Sequence, residues 1–230
     1  MLISVIIPVF NEENTVNNII NKITNLKNLN IEIILINDGS IDNSLNEIRK
    51  LKSQVSKILS YEKNMGKGYA CRQGIKHAKG DIILIQDADM EYDPNDYYVL
   101  IKPILEKKSA VVYGSRVLNK NNKYNNFSIT FTFTKLANYF LTKLSNYLNK
   151  QDLTDAHTCY KVFEKKIIHY SELIENDFSF CPEITAKISK KGYKILEVPI
   201  SYTGRTWKEG KKINLFDGIK AFYVTIKYNL

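Results

Sequence analysis

One stretch of the chain, Ile85-Gln86-Asp87-Ala88-Asp89-Met90-Glu91-Tyr92-Asp93-Pro94, passes from an apolar run directly into alternating acids. In an extended chain successive side chains point to opposite sides, so Asp87, Asp89 and Glu91 are predicted to project together where a strand ends. Hard cations such as Mg²⁺ or Mn²⁺ take oxygen ligands and would relieve the repulsion among three carboxylates. The stretch therefore predicts a metal site, and a solvated acidic turn before a helix at Pro94 is the alternative interpretation.

Apolar runs and amphipathic segments alternate on both sides of this stretch. Strands are predicted over residues 2–9, 31–37, 55–61, 81–86 and 110–114. Helices are predicted over residues 12–26, 42–52, 67–79 and 94–107, with Asp42 and Asp93 as N-caps. This alternation indicates an α/β fold with a mainly parallel sheet flanked by helices, in which ligands bind at the carboxyl ends of the strands.

Three further polar segments follow predicted strands. Pro8-Val9-Phe10-Asn11-Glu12 leads into a helix, Asn37-Asp38-Gly39-Ser40 contains a tight turn, and Gly66-Lys67-Gly68 opens a helix with a cation at its start. Each has an ordinary alternative, a helix cap at Asn11 or a simple Asp-Gly turn, and none fits the Walker A or dinucleotide patterns. Their placement at successive strand ends favours a site for a nucleotide and its phosphates.

The overall composition and charge restrict the possible binding partners only in general terms. The 230 residues carry a net charge of +9 and 44% hydrophobic side chains, which favours anionic partners in general. The basic residues are scattered along the chain rather than clustered, so nucleic acid is not expected as a partner. The three cysteines are widely spaced, which predicts a reducing compartment, and no run of the sequence predicts a signal peptide or a transmembrane helix.

The same segments resemble family 2 glycosyltransferases of the GT-A fold, in the branch of dolichyl-phosphate and polyprenyl-phosphate sugar synthases. The resemblance rests on the stretches quoted above and on residues 153–161, Glu197-Val198-Pro199-Ile200 and the basic residues 204–212. It implies a Rossmann-like sheet in one glycosyltransferase domain, residues 1–230. Residues 1–116 would form the nucleotide-sugar-binding half, and residues 117–230 would form the acceptor side with a C-terminal helix.

The resemblance, taken together with the strand-end segments, also implies roles for individual residues. Asp87, Asp89 and Glu91 would hold Mg²⁺ or Mn²⁺, and Arg205 and Lys211 would neutralise the departing diphosphate. The donor, a uridine or guanosine diphosphate sugar, would lie against Pro8, Phe10, Asn11, Glu12, Asp38, Gly66, Lys67, Asp87, Ala88 and Asp89.

The acceptor side leaves two mechanisms open. A lipid phosphate is already an anion and needs only cationic positioning, for which Arg116 and Lys135 are the candidates. A sugar hydroxyl needs a general base, for which Asp155 and Glu183 are the candidates. The sequence departs from the family pattern at residues 128–135, which stand where the family has an arginine-containing acceptor segment. His157 is interpreted as a packed histidine rather than a catalyst.

The predicted function is transfer of a hexose, with inversion, from a nucleoside-diphosphate sugar to a polyprenyl or dolichyl phosphate. The alternatives are transfer to a sugar hydroxyl in a cell-surface polysaccharide, and a non-catalytic subunit that binds nucleotide sugars. A nucleotidyltransferase is disfavoured because no glycine-rich, arginine-containing loop lies near the start of the chain. The expected location is the cytoplasm or the inner face of the membrane, with contact through residues 129–148 and 215–228, although core packing also explains their apolar faces.

Overall fold

The computed structural model describes residues 1–120, 129–205, 210 and 215–230, with the backbone alone for residues 129–134 and 215. One sheet contains seven strands in the order β3-β2-β1-β4-β6-β5-β7. The strands β1 to β7 span Ile3–Val9, Ile31–Asp38, Lys57–Tyr61, Ile82–Ile85, Val111–Ser115, Lys161–Glu164 and Leu196–Pro199. All neighbours are parallel except β6, which runs antiparallel to both β4 and β5. The predicted α/β class with a mainly parallel sheet is confirmed.

Helices flank the sheet in the described part of the chain. The helices α1 to α7 span Val16–Thr24, Ser44–Lys50, Lys67–His77, Tyr97–Leu105, Ile129–Asn149, Phe180–Lys190 and Leu215–Lys227. A short 3₁₀ helix, Pro94–Asp96, precedes α4. Among the helices that the structure describes, none combines the length and the apolar character needed to cross a bilayer.

The centre of the sheet is buried on both faces. Every residue of β4 is buried, and every residue of β1 except Pro8 is buried, because helices pack against both faces of a parallel sheet. Their apolar side chains belong to one hydrophobic core cluster. This burial fixes the carboxyl ends of β1, β2 and β4 side by side, where the polar segments begin.

The sequence predicts the first five strands to within two residues at each end but misses β6. That strand has only four residues, begins with a fully buried Lys161 and ends with Glu164. Period-two alternation is not readable over so short a segment, and a lysine argues for exposure. Lys161 is tolerated inside because its Nζ donates to the carbonyls of Ala156 (3.0 Å) and Thr158 (2.7 Å).

Helix starts also differ from the prediction. α1 begins at Val16 rather than at residue 12, because the carbonyl of Glu12 accepts from the amides of Thr15 and Val16 in a separate turn. Asp93 is confirmed as an N-cap, since its side chain accepts from the amide of Asn95. Asp42 precedes the N-cap of α2, although its carboxylate still accepts from an amide of the first turn.

Two helical glycines provide a matched test of the packing. A Cβ at Gly74 in α3 would lie 2.3 Å from Cγ2 of Ile6 in β1, whereas a Cβ at Gly218 in α7 would meet nothing within 4 Å. We expect Gly74→Ala to lower the free energy of unfolding by about 1–3 kcal/mol through overpacking. Gly218→Ala should raise it by up to about 1 kcal/mol through helix propensity. Denaturant unfolding of both variants measures this, and equal effects would contradict the packing of α3 on β1.

Candidate active site

A cavity of about 360 Å³ opens at the carboxyl ends of β1, β2 and β4. Most of the predicted site residues line it, from segments far apart in sequence. Those that line it are Pro8, Phe10, Glu12, Asp38, Gly66, Lys67, Asp87, Ala88, Asp89, Glu91, Arg116 and Arg205. The strand-end segments therefore form one site, as expected from parallel strands whose carboxyl ends share an edge.

Arg205 is the cation that joins the acids of this cavity. Its guanidinium donates to Asp89 Oδ2 at 2.7 Å and to both carboxylate oxygens of Glu12 at 3.1 Å. The three side chains are largely buried, with 18% of Arg205, 10% of Asp89 and 6% of Glu12 exposed. Charges withdrawn from water to this extent are stable only when they are paired, so Arg205 compensates two carboxylates at once.

Lys67 compensates the other acid of the motif. Its Nζ lies 2.5 Å from Asp87 Oδ1, at the start of α3. Burial disfavours the charged form of Asp87, but Lys67 outweighs it, so the pKa of that carboxyl falls below its ordinary value. The lysine of the Gly-Lys-Gly segment and the first acid of the predicted metal site are thus a single ion pair.

Asp89 is the most perturbed acid in the cavity. Burial, followed by the charges of Asp87 and Glu91, raises the pKa of Asp89 to about 8, although Arg205 acts in the opposite direction. The carboxylates are therefore close enough to repel one another. This donor set fits a cation beside Asp89 and Asp87 once Arg205 turns away. In the described part of the chain, however, no three His, Cys, Asp or Glu side chains converge as a ready metal cluster.

Glu91, predicted to be a metal ligand, turns both of its carboxylate oxygens toward hydrogen-bond donors of a distant segment. One carboxylate oxygen accepts from the backbone amide of Arg205 at 2.7 Å, and the other accepts from the hydroxyl of Tyr202 at 3.0 Å. Both oxygens therefore face the segment that carries Arg205. No local pattern predicts this contact, because Tyr202 lies over a hundred residues away from Glu91 in sequence.

Asp38, predicted to contact the donor nucleotide, shapes one wall of the cavity. Its two carboxylate oxygens accept from the amides of Met65 and Gly66, each at 2.8 Å, and burial raises its pKa. Gly66 has φ of 97°, and a Cβ there would lie 2.3 Å from the carbonyl oxygen of Asn176. Asp38 thus holds the glycine turn that starts α3.

Asn11 does not line the cavity in the described structure, contrary to its assignment as a donor contact. Its backbone has a positive φ of 51°, and its side-chain oxygen accepts from the amide of Ile41 at 2.9 Å. Its own amide donates to the hydroxyl of Ser40. Asn11 therefore joins the turn after β1 to the turn after β2. It supports the wall of the cavity without lining it.

Both candidate general bases are held in ion pairs, Asp155 with Arg116 and Glu183 with Lys187. Asp155 is fully buried and accepts from Arg116 Nε at 2.6 Å and Nη2 at 2.8 Å, and also from Asn138. Although burial opposes ionisation, the Arg116 charge and hydrogen bonds hold its pKa below the ordinary value, which makes it a weak base. Glu183, also fully buried, accepts from the amide of Ile174 at 2.7 Å and does not line the cavity.

The two acceptor candidates have different positions. Arg116 lines the cavity, held by Asp155 and lying 5.2 Å from the ring centre of Tyr202. Lys135 is partly buried on α5 and is not part of the cavity lining, and burial lowers its pKa. Lys211, predicted to neutralise the diphosphate, lies outside the described residues.

Sequence reasoning missed several residues of the lining, including Tyr92, Tyr202 and Cys159. His157, interpreted as packed, also lines the cavity. Burial, followed by the charge of Lys161, lowers its pKa to about 4, so it is neutral, and its buried Nε2 has no hydrogen-bond partner among the described residues. These segments meet through long-range contacts that no local sequence pattern reveals, among them the bridge between Tyr92 and Tyr202 and a hydrogen bond from the amide of Cys159 to the hydroxyl of Tyr92 at 3.1 Å.

Solved structures with the same architecture bind nucleotides. Glucosyl-3-phosphoglycerate synthase from Mycobacterium tuberculosis, solved in complex with Mn²⁺ and uridine-diphosphate-glucose, matches with a TM-score of 0.72 and 20% identity. The match covers 99% of this chain and 79% of that chain. At this identity the similarity establishes the GT-A fold.

The family follows from sequence comparison. The model of glycosyl transferase family 2 matches residues 4–171, so the chain belongs to that family. A UDP-N-acetylglucosamine–dolichyl-phosphate N-acetylglucosaminyltransferase from Methanococcus voltae is 29% identical, covering 96% of this chain and 94% of the relative. A dolichol-phosphate mannosyltransferase from Pyrococcus furiosus is 28% identical, covering 99% of this chain and 64% of the relative. The resemblance to lipid-phosphate sugar transferases is confirmed.

Proposed function

We propose that this protein transfers a hexose, with inversion, from a nucleoside-diphosphate sugar to a polyprenyl or dolichyl phosphate. The observation that carries the proposal is the pairing of both candidate bases. Asp155 is bound to Arg116 and Glu183 to Lys187, so neither is placed to deprotonate a sugar hydroxyl. A phosphate acceptor is already ionised and needs no base, and the names of both archaeal relatives specify such acceptors.

The charges of the cavity fit this reaction. A divalent cation, when bound, would act as a Lewis acid that stabilises the departing diphosphate. Asp87 and Asp89 are the residues that would hold it. Arg205 and Lys67, which neutralise these acids in the structure, would then be released to neutralise diphosphate oxygens. Each cation thus pairs with carboxylates before the donor binds and with the diphosphate afterwards.

The acceptor phosphate would enter from the side of Arg116. Asp155 holds this guanidinium through two parallel hydrogen bonds, which fixes its plane. A phosphate oxygen placed there would attack the anomeric carbon opposite the diphosphate, and this single displacement inverts the configuration. Asp155 is therefore a positioning residue in this proposal. The alternative of a non-catalytic binding subunit is disfavoured because both aspartates of the motif line the cavity.

Contact with the membrane is a further part of the proposal. The neighbouring helices α5 and α7 each expose an apolar stripe, formed by Leu136, Tyr139, Phe140 and Tyr147 and by Phe216, Ile219, Phe222 and Tyr223. Core packing, the other explanation of the α7 face, does not account for these side chains, because α7 buries Ala221 and Val224 instead. Aromatic side chains beside lysines suit the surface of an anionic membrane. These side chains support our proposal that the protein contacts a membrane surface, and the inner face is the location that we propose.

The substitution Asp89→Asn tests the catalytic proposal. We expect it to lower turnover about 100-fold or more, since the site loses the charge that holds the cation. The donor is first chosen from UDP- and GDP-hexoses with Mn²⁺ by the increase in melting temperature that each produces. The fold should remain intact, because Arg205 keeps Glu12 as an ion-pair partner when Asp89 loses its charge.

The matched control is Asp93→Asn, which makes the same chemical change four residues later in an N-cap where asparagine serves equally well. It should keep turnover within about twofold of the wild type. Near-normal turnover in Asp89→Asn would reject the assignment of the cation to this site.

The membrane contact predicts co-flotation with anionic vesicles. Wild-type protein should float with vesicles that contain an acidic phospholipid, and Phe216→Ser with Phe222→Ser should abolish most of that binding, because the apolar area in contact with lipid is lost. Leu105→Ser, an equally polar change at an exposed position at the end of α4, is the control and should float normally. Wild-type protein that stays at the bottom of the gradient would contradict the contact.

A further inference from the structure

We propose that Glu91 is a positioning residue that fastens the segment bearing Arg205 to the acidic motif, and that it does not ligate the cation. The effect on turnover rests on the proposed function, whereas the fastening itself does not. The proposal gives the third acid of the motif a role different from that of Asp87 and Asp89.

Glu91 holds three residues of this segment through both its side chain and its backbone. The carboxylate accepts from the amide of Arg205 at 2.7 Å and from the hydroxyl of Tyr202 at 3.0 Å. The backbone carbonyl of Glu91 accepts from the amide of Thr203 at 2.9 Å. With 14% of its side chain exposed, Glu91 makes these bonds in a largely dry environment, where they are stronger than in water.

These bonds form a closed circuit with Asp89. The amide of Glu91 donates to Asp89 Oδ1 at 3.0 Å, and Arg205 Nη2 donates to Asp89 Oδ2 at 2.7 Å. Next to the circuit, Tyr92 pairs with Tyr202 in an antiparallel bridge, and their rings are 5.2 Å apart. The backbone of Arg205 is therefore held in place. The guanidinium, at the end of a long side chain, can still change partners.

In this arrangement Asp87 and Asp89 would hold the cation, and Glu91 would position Arg205. If Glu91 moved to a cation, the amide of Arg205 and the hydroxyl of Tyr202 would lose their acceptor. If Glu91 stays, Arg205 can turn from Asp89 to the diphosphate without its backbone moving. Positioning a charged group in this way supports catalysis because small displacements of such groups cost large factors in rate.

Substitution of Glu91 by glutamine distinguishes a positioning role from a role as a metal ligand. In Glu91→Gln, the amide oxygen can accept from Arg205, and the amide NH₂ can donate to the hydroxyl oxygen of Tyr202, which also serves as an acceptor. The fastening therefore survives the loss of charge. In Glu91→Ala it is lost, and in Tyr202→Phe one of its hydrogen bonds is lost.

The experiment compares these three variants with wild type in three measurements. The first is the rate of tryptic cleavage after Arg205, which we expect to rise about tenfold in Glu91→Ala, to rise less in Tyr202→Phe and to stay unchanged in Glu91→Gln. The second is Mn²⁺ affinity in the presence of UDP, followed by the electron paramagnetic resonance of free Mn²⁺, which should stay within about twofold of wild type in Glu91→Gln. The third is kcat, which should fall about tenfold to 100-fold in Glu91→Ala, fall less in Tyr202→Phe and be largely rescued in the conservative variant Glu91→Gln.

A tenfold or larger loss of Mn²⁺ affinity in Glu91→Gln would overturn the proposal and make Glu91 a ligand. Cleavage in Glu91→Ala at the wild-type rate would overturn it as well. If wild-type protein turns over no UDP- or GDP-hexose, the proposed function fails, but tryptic cleavage still decides the fastening. Glu106→Ala, which removes an exposed glutamate at the end of α4, is the control and should match wild type in all three measurements.

Discussion

Asp87, Asp89 and Glu12 are largely removed from water and are each paired with a cation, and this charge compensation organises the cavity. Asp89 and Glu12 share Arg205, and Asp87 takes Lys67. Each pair joins segments distant in sequence, so the charge balance also determines which loops meet. A ligand that brings both negative charge and a replacement cation would preserve this balance, and the nucleoside diphosphate with a divalent metal in our proposal has that chemistry.

The fold supplies the rigid frame for this exchange. Because β1, β2 and β4 are parallel and buried on both faces, their carboxyl ends present Glu12, Asp38 and Asp87 at one edge of the sheet. The antiparallel strand β6 then connects the second half of the chain to the same edge, and it follows the turn that carries Asp155 and His157. The groups that we propose to bind donor and acceptor therefore face one cavity although they come from different halves of the chain.

What could be predicted from the sequence follows the range of the interactions involved. The strand ends at Asp38 and Asp87 were readable because apolar runs lead directly into them. The surroundings of Glu91, Asp155 and Glu183 were not readable, because their oxygens accept from partners that no local pattern reveals, such as Tyr202 and Arg116. A carboxylate in a motif looks the same in sequence whether it faces a ligand or another part of the chain.

The central claim is that Arg205 and a divalent cation are alternative partners of Asp89. Anomalous diffraction at the manganese edge, from crystals grown with Mn²⁺ and UDP, tests it most directly. The account predicts an anomalous peak within about 2.5 Å of an Asp89 carboxylate oxygen, with the Arg205 guanidinium moved onto the diphosphate. Bound UDP in a crystal where Arg205 still pairs with Asp89 and no manganese lies beside that carboxylate would contradict the claim.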